Sequence, residues 1–312
     1  MSRIITVGAA QLGPIQRGDD RKSVVARMLA LMAEAHGKGC DLIVYPELAL
    51  TTFFPRWLME DQEEIDGWFE SAMPSNETQP LFNAAKEYGL GFHLGYAELA
   101  RENGETHRYN TAIMVDKQGH MFAKFRKIHI PGHADYEPTY RYQHLEKRYF
   151  EVGDLGFPVW KAFGGHVGMA ICNDRRWPET YRVMGLQDVE MVLIGYNTQS
   201  LAQDGSYPAH LSMFHNHLSM QAGAYQNSTW VVGVAKAGCE EGIDMIGGSA
   251  IIAPTGEIAA QCITEEDELI VHDCDLDACK PAKEDMFNFA AHRRIEHYGL
   301  IAERTAAKPP SD

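Results

Sequence analysis

The sequence predicts a mixed α/β protein in which sheets and helices pack in layers. Short apolar runs of about four to eight residues recur along the chain and are bounded by Gly, Pro, Asn or Asp, as is typical of β-strands. Segments with helical periodicity lie between these runs. Because strands and helices alternate from the N-terminus onward, the order favours layered sheets and helices over a purely antiparallel barrel.

The first predicted strand is IITVGAA at residues 4–10, and the first predicted helix follows at residues 24–35. Several strands are apolar on both faces, which indicates sheets that are covered on each side. Pro178 opens a later helix near its first turn, where its missing N–H costs nothing. Further strands are predicted at residues 42–45 and 166–172 and from residues 90, 110, 191, 230, 249 and 269, and further helices near residues 79–88, 177–185 and 211–225.

The chain has 312 residues, with 28 Lys and Arg against 43 Asp and Glu and a formal charge of −15. Nucleic acid and anionic membranes need a cationic face, so neither is expected as a partner. A hydrophobic fraction of 45% with 23% charged residues indicates a globular core. Because no export signal and no apolar run of about 18 residues is visible, we expect a cytoplasmic protein.

The sequence contains no pattern typical of a cofactor site. The 6 cysteines have no CxxC pair and no regular spacing, which argues against a disulfide framework and a zinc site. His215 and His217 are too close in sequence to share one face of a predicted helix, so a metal site is rejected there. No phosphate-binding glycine motif occurs. We therefore expect neither a metal nor another cofactor.

The chain shows no boundary between domains. It has no Pro-, Ser- or Gly-rich linker and no repeat of about 20 to 50 residues. We predict one domain over residues 1–303 and a flexible tail over residues 304–312. Residues 199–210 are polar and turn-rich, and we interpret them as a mobile loop over a site. The segment DMFNFAAHRRIEHYGLI is interpreted as an apolar arm that docks on a neighbouring subunit or folds back on its own chain.

Cys172 is a candidate nucleophile. It ends the apolar run HVGMAIC and is followed at once by NDRRWPE, which leads into a predicted helix. A strand-to-helix turn exposes its first residue at the carboxyl end of a strand, where α/β proteins build sites. A helix N-terminus and nearby cations would lower the thiol pKa, as nucleophilic attack requires. The alternative is a buried structural cysteine, which is how we interpret the other cysteines.

Two charged residues accompany other apolar runs. Glu47 follows a strand and a proline in LIVYPELAL, where a half-buried carboxylate would be a candidate general base. Lys127 lies in KFRKIHIPG and, if this run is a strand, shares one face with Phe125 and His129. An inward lysine needs an acidic partner and could stabilise an oxyanion. The alternative for Glu47 is an acid at a strand end that faces water or caps a helix, and the alternative for Lys127 is a solvated, basic hairpin edge.

The combination of these residues is more specific than each alone. The strings YPELALT, KFRKIHIPG and ICNDRRWPE resemble the motifs around the Glu–Lys–Cys triad of the nitrilase superfamily of carbon–nitrogen hydrolases. Longer strings, among them ELALTTFFPRW, YQHLEKRYFE, GDLGFPVW, LSMQAGAYQN and APTGEI, are similar to the N-carbamoyl-D-amino acid amidohydrolase family, from the N-terminus to about residue 303. The resemblance implies a four-layer αββα sandwich, with helices outside two central sheets, and a hydrolysis that needs no metal.

The resemblance also implies a role for each matching residue. Cys172 would be the nucleophile, Glu47 the general base and Lys127 the group that stabilises the tetrahedral intermediate. Glu146, in QHLEKRYFE, matches a family glutamate beside the triad and would orient or neutralise Lys127. The alternative for Glu146 is an exposed acid on a helix.

Two adjacent arginines match the substrate-binding part of the family motif. Arg175 and Arg176 would bind the α-carboxylate, because a guanidinium can hold a carboxylate through two parallel hydrogen bonds. For one of the two, the alternative is a salt bridge that holds the turn. Asn173 and Asn197 are expected as polar neighbours of the ureido group.

The implied activity is hydrolysis of N-carbamoyl-D-amino acids to D-amino acid, ammonia and carbon dioxide, with a small anionic ureido compound as substrate. His129 and His144 would help to shape the pocket, although a lone histidine is more often a satisfied core group. The alternatives are another enzyme of the superfamily, such as a β-ureidopropionase, an aliphatic amidase or a nitrilase, and a catalytically silent carboxylate-binding protein. Residues 199–210 depart from the family pattern, so the family does not fix the preferred side chain of the substrate. The family also implies a homodimer or homotetramer.

Overall fold

The computed structural model describes residues 2–202, 204–205 and 208–310. The first of its two large sheets contains the first and the last strand of the chain, and its strands are β1 (Ile4–Gln11), β2 (Leu42–Val44), β3 (Gly91–Glu102), β4 (Glu105–Val115), β5 (Met121–Arg126) and β14 (Glu268–Asp275). Their order across the sheet is β14-β1-β2-β3-β4-β5. Strand β2 pairs in parallel with β1 and β3, and the other pairs are antiparallel.

The second sheet also has six strands, which in order across the sheet are β13 (Ile258–Gln261), β12 (Ala250–Ile252), β9 (Trp230–Ala235), β8 (Met191–Tyr196), β7 (Gly165–Ile171) and β6 (Val159–Ala162). The central strands β7, β8 and β9 run parallel. A separate hairpin, which the sequence did not predict, joins β10 (Ala237–Glu240) to β11 (Ile243–Ile246).

The helices flank the two sheets. They are α1 (Arg21–Gly37), α2 (Gln62–Asp66), α3 (Gln79–Tyr88), α4 (Glu146–Tyr149), α5 (Pro178–Gly185), α6 (Ala209–Asn227), α7 (Lys280–Glu284), α8 (Phe289–His292) and α9 (Gly299–Glu303). The predicted helices near residues 24–35, 79–88, 177–185 and 211–225 correspond to α1, α3, α5 and α6. None of the helices in the described ranges is long and apolar enough to span a membrane.

Strand β2 shows how the layers form. Leu42 and Val44 pack in a core cluster with residues of the second sheet, whereas Ile43 and Tyr45 pack in another cluster with α1 and α3. Because successive side chains of a strand point to opposite faces, the first sheet lies between helices and the second sheet. Helices α5 and α6 cover the other face of the second sheet. The four-layer αββα sandwich is therefore confirmed.

One prediction about local structure differs from the fold, and two others reach beyond the described residues. Strand β5 ends at Arg126, so Lys127 lies just beyond the strand, where its N–H donates to Asn110 O at 2.8 Å. The run IHIPG that follows contains a proline, which cannot donate to a sheet ladder. In the loop predicted over residues 199–210, positions 203, 206 and 207 lie outside the described residues, as do positions 311 and 312 of the predicted tail.

The C-terminal arm lies partly against its own chain. The ring of Phe287 packs on Tyr225 of α6 at a centroid distance of 5.0 Å, and the guanidinium of Arg182 of α5 lies 4.2 Å from the ring centroid of Phe289. Farther along, Ile295 and Ile301 are exposed. The arm therefore begins by folding back on α5 and α6.

Candidate active site

Cys172 lies at the end of β7, at the point where the chain leaves the second sheet. It opens a short 3-10 turn, Cys172–Arg176, and its φ of +47° lies in the left-handed region, which non-glycine residues rarely adopt. Its thiol donates to Asn197 O, just after the neighbouring strand β8, at 3.5 Å. The expected strand-to-helix turn is therefore present, although its first element is a 3-10 turn and α5 begins later at Pro178.

A buried lysine lies between two buried carboxylates close to this thiol. Lys127 Nζ donates to Glu47 Oε1 at 2.8 Å and to Glu146 Oε2 at 2.5 Å, and none of the three side chains is exposed. The lysine follows β5, Glu47 follows β2, and Glu146 opens α4. The structure therefore brings together the acid, the lysine and the second carboxylate, and Glu146 is not an exposed helix acid.

Further polar contacts orient Glu47. Asn110 Nδ2 donates to Glu47 Oε1 at 2.7 Å, and the Asn197 N–H donates to Oε2 at 2.9 Å. Asn197 Nδ2 also donates to the backbone oxygen of Glu47 at 2.9 Å. Since the carbonyl of Asn197 accepts from Cys172, the backbone of Asn197 lies between the carboxylate and the thiol. Sequence reasoning missed Asn110, although a polar residue opening the apolar run NTAIMV was a signal.

The charges in this cluster influence one another. Burial by itself would lower the pKa of Lys127, but attraction to Cys172 in its ionised form and to the carboxylates of Glu146 and Glu47 outweighs burial, so this pKa is raised above its ordinary value. For Glu146, burial opposes ionisation, yet Lys127 and a hydrogen bond from His144 lower its pKa. The cluster thus holds a protonated lysine next to ionised Glu146.

Cys172 differs from the sequence-based expectation. Burial raises the pKa of its thiol, and the charge of Glu47 adds to the effect, while Lys127 and Arg175 act in the opposite direction. The resting group is therefore a thiol, not the thiolate that the turn and nearby cations were expected to produce. A nucleophilic role for this cysteine needs a base that removes the proton.

The two histidines have different surroundings. His144 Nε2 hydrogen-bonds Glu146 Oε1 at 2.8 Å, so it touches the carboxylate that holds Lys127. His129 is bound to the buried Asp174, whose Oδ1 accepts from the His129 N–H at 2.9 Å and contacts Nδ1 at 2.8 Å. Asp174 Oδ2 also accepts from Ile171 N at 3.1 Å. Sequence reasoning missed Asp174, which joins His129, two residues after Lys127, to Ile171, directly before Cys172.

The two arginines are also separated. Arg175 is fully buried, and its guanidinium donates to Cys172 O at 2.6 Å, Asn216 Oδ1 at 2.8 Å and Thr198 Oγ1 at 2.8 Å. The guanidinium also lies 4.4 Å from the ring centroid of Tyr196. Arg176 is exposed and lines a cavity next to Cys172. Arg175 thus holds the turn Cys172–Arg176 through its hydrogen bonds, whereas Arg176 lines the cavity.

The cavity has a volume of about 280 Å³ and is lined in part by Cys172. Four predicted site residues line it together with Cys172: His144, Asn173, Arg176 and Asn197. Aromatic and apolar walls come from Tyr140, Tyr142, Leu201 and Ala202. The Tyr142 hydroxyl donates to Leu201 O, which joins the segment before Glu146 to the loop that begins at residue 199. The described part of that loop thus forms one side of the cavity.

Comparison with known proteins shows the family of this chain. The family model for carbon-nitrogen hydrolases matches residues 6–284, and the chain therefore belongs to the carbon-nitrogen hydrolase family. It is a hydrolase of carbon–nitrogen bonds in linear amides.

Several relatives match over almost the whole chain. An N-carbamoylputrescine amidase from Solanum lycopersicum is 29% identical and covers 99% of this chain and 98% of its own length. A nitrilase from Pyrococcus abyssi is 30% identical, with 95% and 99% covered. The crystal structure of a carbon-nitrogen hydrolase from Helicobacter pylori superimposes with a TM-score of 0.83 at 22% identity, covering 97% of this chain and 99% of that one. This last likeness concerns the fold.

Proposed function

We propose that this enzyme hydrolyses N-carbamoyl-D-amino acids to the D-amino acid, ammonia and carbon dioxide. The observation that carries the proposal is a cavity lined by Cys172 and Arg176, with the buried Glu47–Lys127–Glu146 cluster next to that cysteine. A ureido group can reach the thiol while a carboxylate at the other end of a small substrate meets the guanidinium. The motif strings shared with N-carbamoyl-D-amino acid amidohydrolases support the choice of the D-series.

The chemistry begins with removal of the Cys172 proton. Glu47 takes this proton, and the sulfur attacks the ureido carbon to form a tetrahedral intermediate. Lys127 and the backbone N–H of Asn173 stabilise the negative charge that develops on the oxygen. Because the thiol pKa is raised by burial, the proton moves as the C–S bond forms and a standing thiolate is not required.

Collapse of the intermediate breaks a C–N bond. Protonated Glu47 gives its proton to the leaving nitrogen, and a thioester remains on Cys172. Glu47 then takes a proton from water, whose oxygen attacks the thioester and restores the thiol. The departing sulfur takes that proton back from Glu47, and the carbamic acid that is released loses carbon dioxide, which breaks the remaining C–N bond. One water molecule is therefore consumed for each ureido group, and the products are the D-amino acid, ammonia and carbon dioxide. Glu146 stays ionised and keeps Lys127 charged and in place through both steps.

Asn173 and Asn197 are proposed to hold the ureido group. Both line the cavity, and Asn197 Oδ1 is buried without a hydrogen-bond partner among the described residues. Such an acceptor is costly to leave unpaired, and a ureido N–H would satisfy it. His144 lines the same wall, whereas His129 acts at a distance through Asp174.

A related activity is the second candidate. The name of the tomato relative points to a ureido substrate that ends in an amine, which Arg176 would repel and Asp204, in the wall of the same cavity, would attract. The nitrilase, the β-ureidopropionase and the aliphatic amidase remain as substrate alternatives within the same family. A catalytically silent protein is disfavoured because Asn197 contacts both the Cys172 thiol and the Glu47 carboxylate, and Glu47 in turn contacts Lys127.

A substrate panel tests the proposal. It contains N-carbamoyl-D-phenylalanine, its L-enantiomer, N-carbamoyl-β-alanine, N-carbamoylputrescine and a simple aliphatic amide, with ammonia release as the readout. We expect the highest kcat/KM for the D-compound. Preference for the β-compound, the putrescine derivative or the amide would assign the chain to that activity. No release from any compound would return it to the silent alternative.

A further inference from the structure

A second buried charge cluster lies outside the site described above. Glu240, at the end of β10, is in contact with Lys236 and Arg56, and all three side chains are buried. Glu240 Oε1 accepts from Arg56 Nη2 at 2.7 Å, and Oε2 accepts from Lys236 Nζ at 2.9 Å. The proposed reaction uses none of these groups. We call them the Glu240 cluster.

The Glu240 cluster holds the backbone of residues 51–56, and Glu240 Oε2 also accepts from Ile15 N at 3.2 Å. Glu240 Oε1 accepts from Phe53 N at 2.6 Å and Thr52 Oγ1 at 3.1 Å. Lys236 Nζ donates to Thr51 O at 2.9 Å, and Arg56 Nε donates to Phe53 O at 2.9 Å. These hydrogen bonds fix the path of residues 51–56, because Glu240 and Lys236 bind the segment from outside and Arg56 binds Phe53 within it.

Residues 51–56 in turn connect the two catalytic carboxylates. The stretch begins four residues after Glu47 in the sequence. At its other end, Pro55 O accepts from Leu145 N at 2.7 Å, directly before Glu146. The Phe53 ring lies 5.3 Å from the ring of His144, edge to face, and His144 hydrogen-bonds Glu146. A shift of residues 51–56 would therefore displace both partners of Lys127.

Stability alone is a weak explanation for the Glu240 cluster. Buried ion clusters can often be replaced by apolar side chains without loss of stability, because desolvation offsets their attraction. What such a cluster specifies is one arrangement of the backbone groups that it binds. Lys236 is also near enough to Glu47 for their charges to attract each other.

From these contacts we infer that Arg56, Lys236 and Glu240 are positioning residues for the Glu47–Lys127–Glu146 cluster, acting through residues 51–56. The inference rests on the proposed function. A displacement of about 1 Å between reacting groups can cost up to about a hundredfold in rate, so the effect belongs in kcat. Substrate affinity depends on the other wall of the cavity and should change little.

The clean test is Lys236→Met. It removes one of two cations and leaves Glu240 paired with Arg56, so no unpaired charge is buried. Lys124→Met is the matched control, because Lys124 likewise shares a glutamate, Glu98, with an arginine, Arg126, but does not contact residues 51–56. Lys236→Arg restores the charge and tests rescue.

Two readouts separate this inference from the proposed function. The first is kcat and KM for the best substrate of the panel. The second needs no substrate: the rate at which iodoacetamide alkylates Cys172, followed by mass spectrometry of the Cys172 peptide. If the wild type turns over nothing, the proposed function fails, but the alkylation rate still tests the positioning role.

We expect Lys236→Met to lower kcat and the alkylation rate by about tenfold with less than about a threefold change in KM. Lys236→Arg should recover most of both rates, and Lys124→Met should leave both unchanged. Wild-type rates in Lys236→Met, or equal losses in Lys124→Met, would overturn the inference. If Lys236→Met does not fold, Arg56→Lys keeps the charge but removes the Nε–H that donates to Phe53 O, and wild-type rates in that variant would overturn the inference equally.

Discussion

Two buried lysines of this protein have similar burial and opposite electrostatic balance. Lys127 lies between Glu47 and Glu146, a group with a formal charge of −1. Lys236 shares Glu240 with Arg56, a group with a formal charge of +1. The pKa of Lys127 is raised, because the surrounding negative charges outweigh burial. The pKa of Lys236 is lowered by burial, which its glutamate only partly offsets.

The difference shows that burial does not decide what a lysine contributes. The negative balance around Lys127 keeps it charged, which suits a group that must attract a developing oxyanion. The positive balance around Lys236 suits a group that binds backbone carbonyls and supports the loop beside it. The described cavity is lined by Cys172, whose charge interacts with Lys127, and by no member of the Glu240 cluster. Each prediction below tests one side of this comparison.

The largest effect is expected at Cys172. Cys172→Ala should abolish ammonia release, because the sulfur that attacks the ureido carbon is removed. The variant should still fold, since the side chain loses only one buried atom. Circular dichroism and thermal unfolding check the fold, and ammonia release checks activity. Turnover in this variant would contradict the mechanism, and would also remove the reason to rank the Lys127 cluster above the other.

Removing each lysine should affect stability differently. Lys127→Met leaves two carboxylates facing each other without a cation, and breaking such a buried pair costs about 3–5 kcal/mol. Lys236→Met leaves a neutral pair and an unpaired Thr51 carbonyl, which costs about 1–3 kcal/mol. Urea unfolding at neutral pH measures the difference. Equal losses in the free energy of unfolding would contradict the negative balance assigned to the Lys127 group and the positive balance assigned to the Lys236 group.

A double variant serves as the control for that measurement. Lys127→Met with Glu146→Gln removes one carboxylate, so much of the lost free energy of unfolding should return. Activity should not return, because the oxyanion still lacks its cation. Recovery of activity in the double variant would show that Lys127 serves only to neutralise Glu146.

Parts of this comparison could be predicted from the sequence and parts could not. The apolar runs that precede them predicted Glu47 and Cys172 at the ends of strands, and the motif strings indicated Lys127 and Glu146. The Glu240 cluster depends on contacts between residues nearly two hundred positions apart, which no local pattern encodes. The separate positions of Arg175 and Arg176 arise from the 3-10 turn, whose geometry the residues NDRRW do not specify.

A smaller effect is expected at the cavity wall. Arg176→Gln should raise KM for an N-carbamoyl amino acid by about tenfold or more, because a charge-assisted contact with the carboxylate is lost. An uncharged aliphatic amide, if it is turned over at all, should show no such change. Moderate salt should also alter KM only slightly, since the net charge of −15 opposes long-range attraction of an anion. A strong salt dependence would favour steering over direct contact.

The smallest effect concerns acid stability and Glu146. Its pKa falls from 4.5 to about 2 on folding, although burial opposes this, because Lys127 and His144 favour the ionised form. A depressed folded-state pKa contributes stability above the unfolded value, and that stability is lost as the pH falls through the folded value. The stability difference between wild type and Glu146→Gln should therefore shrink between pH 4.5 and about 2. Urea unfolding at several pH values measures it, with Lys236→Met as the comparison, since that variant leaves Glu146 intact and should follow the wild-type trend. A constant difference between wild type and Glu146→Gln would mean that Lys127 does not hold Glu146 ionised, and that the two buried lysines differ less than their partners imply.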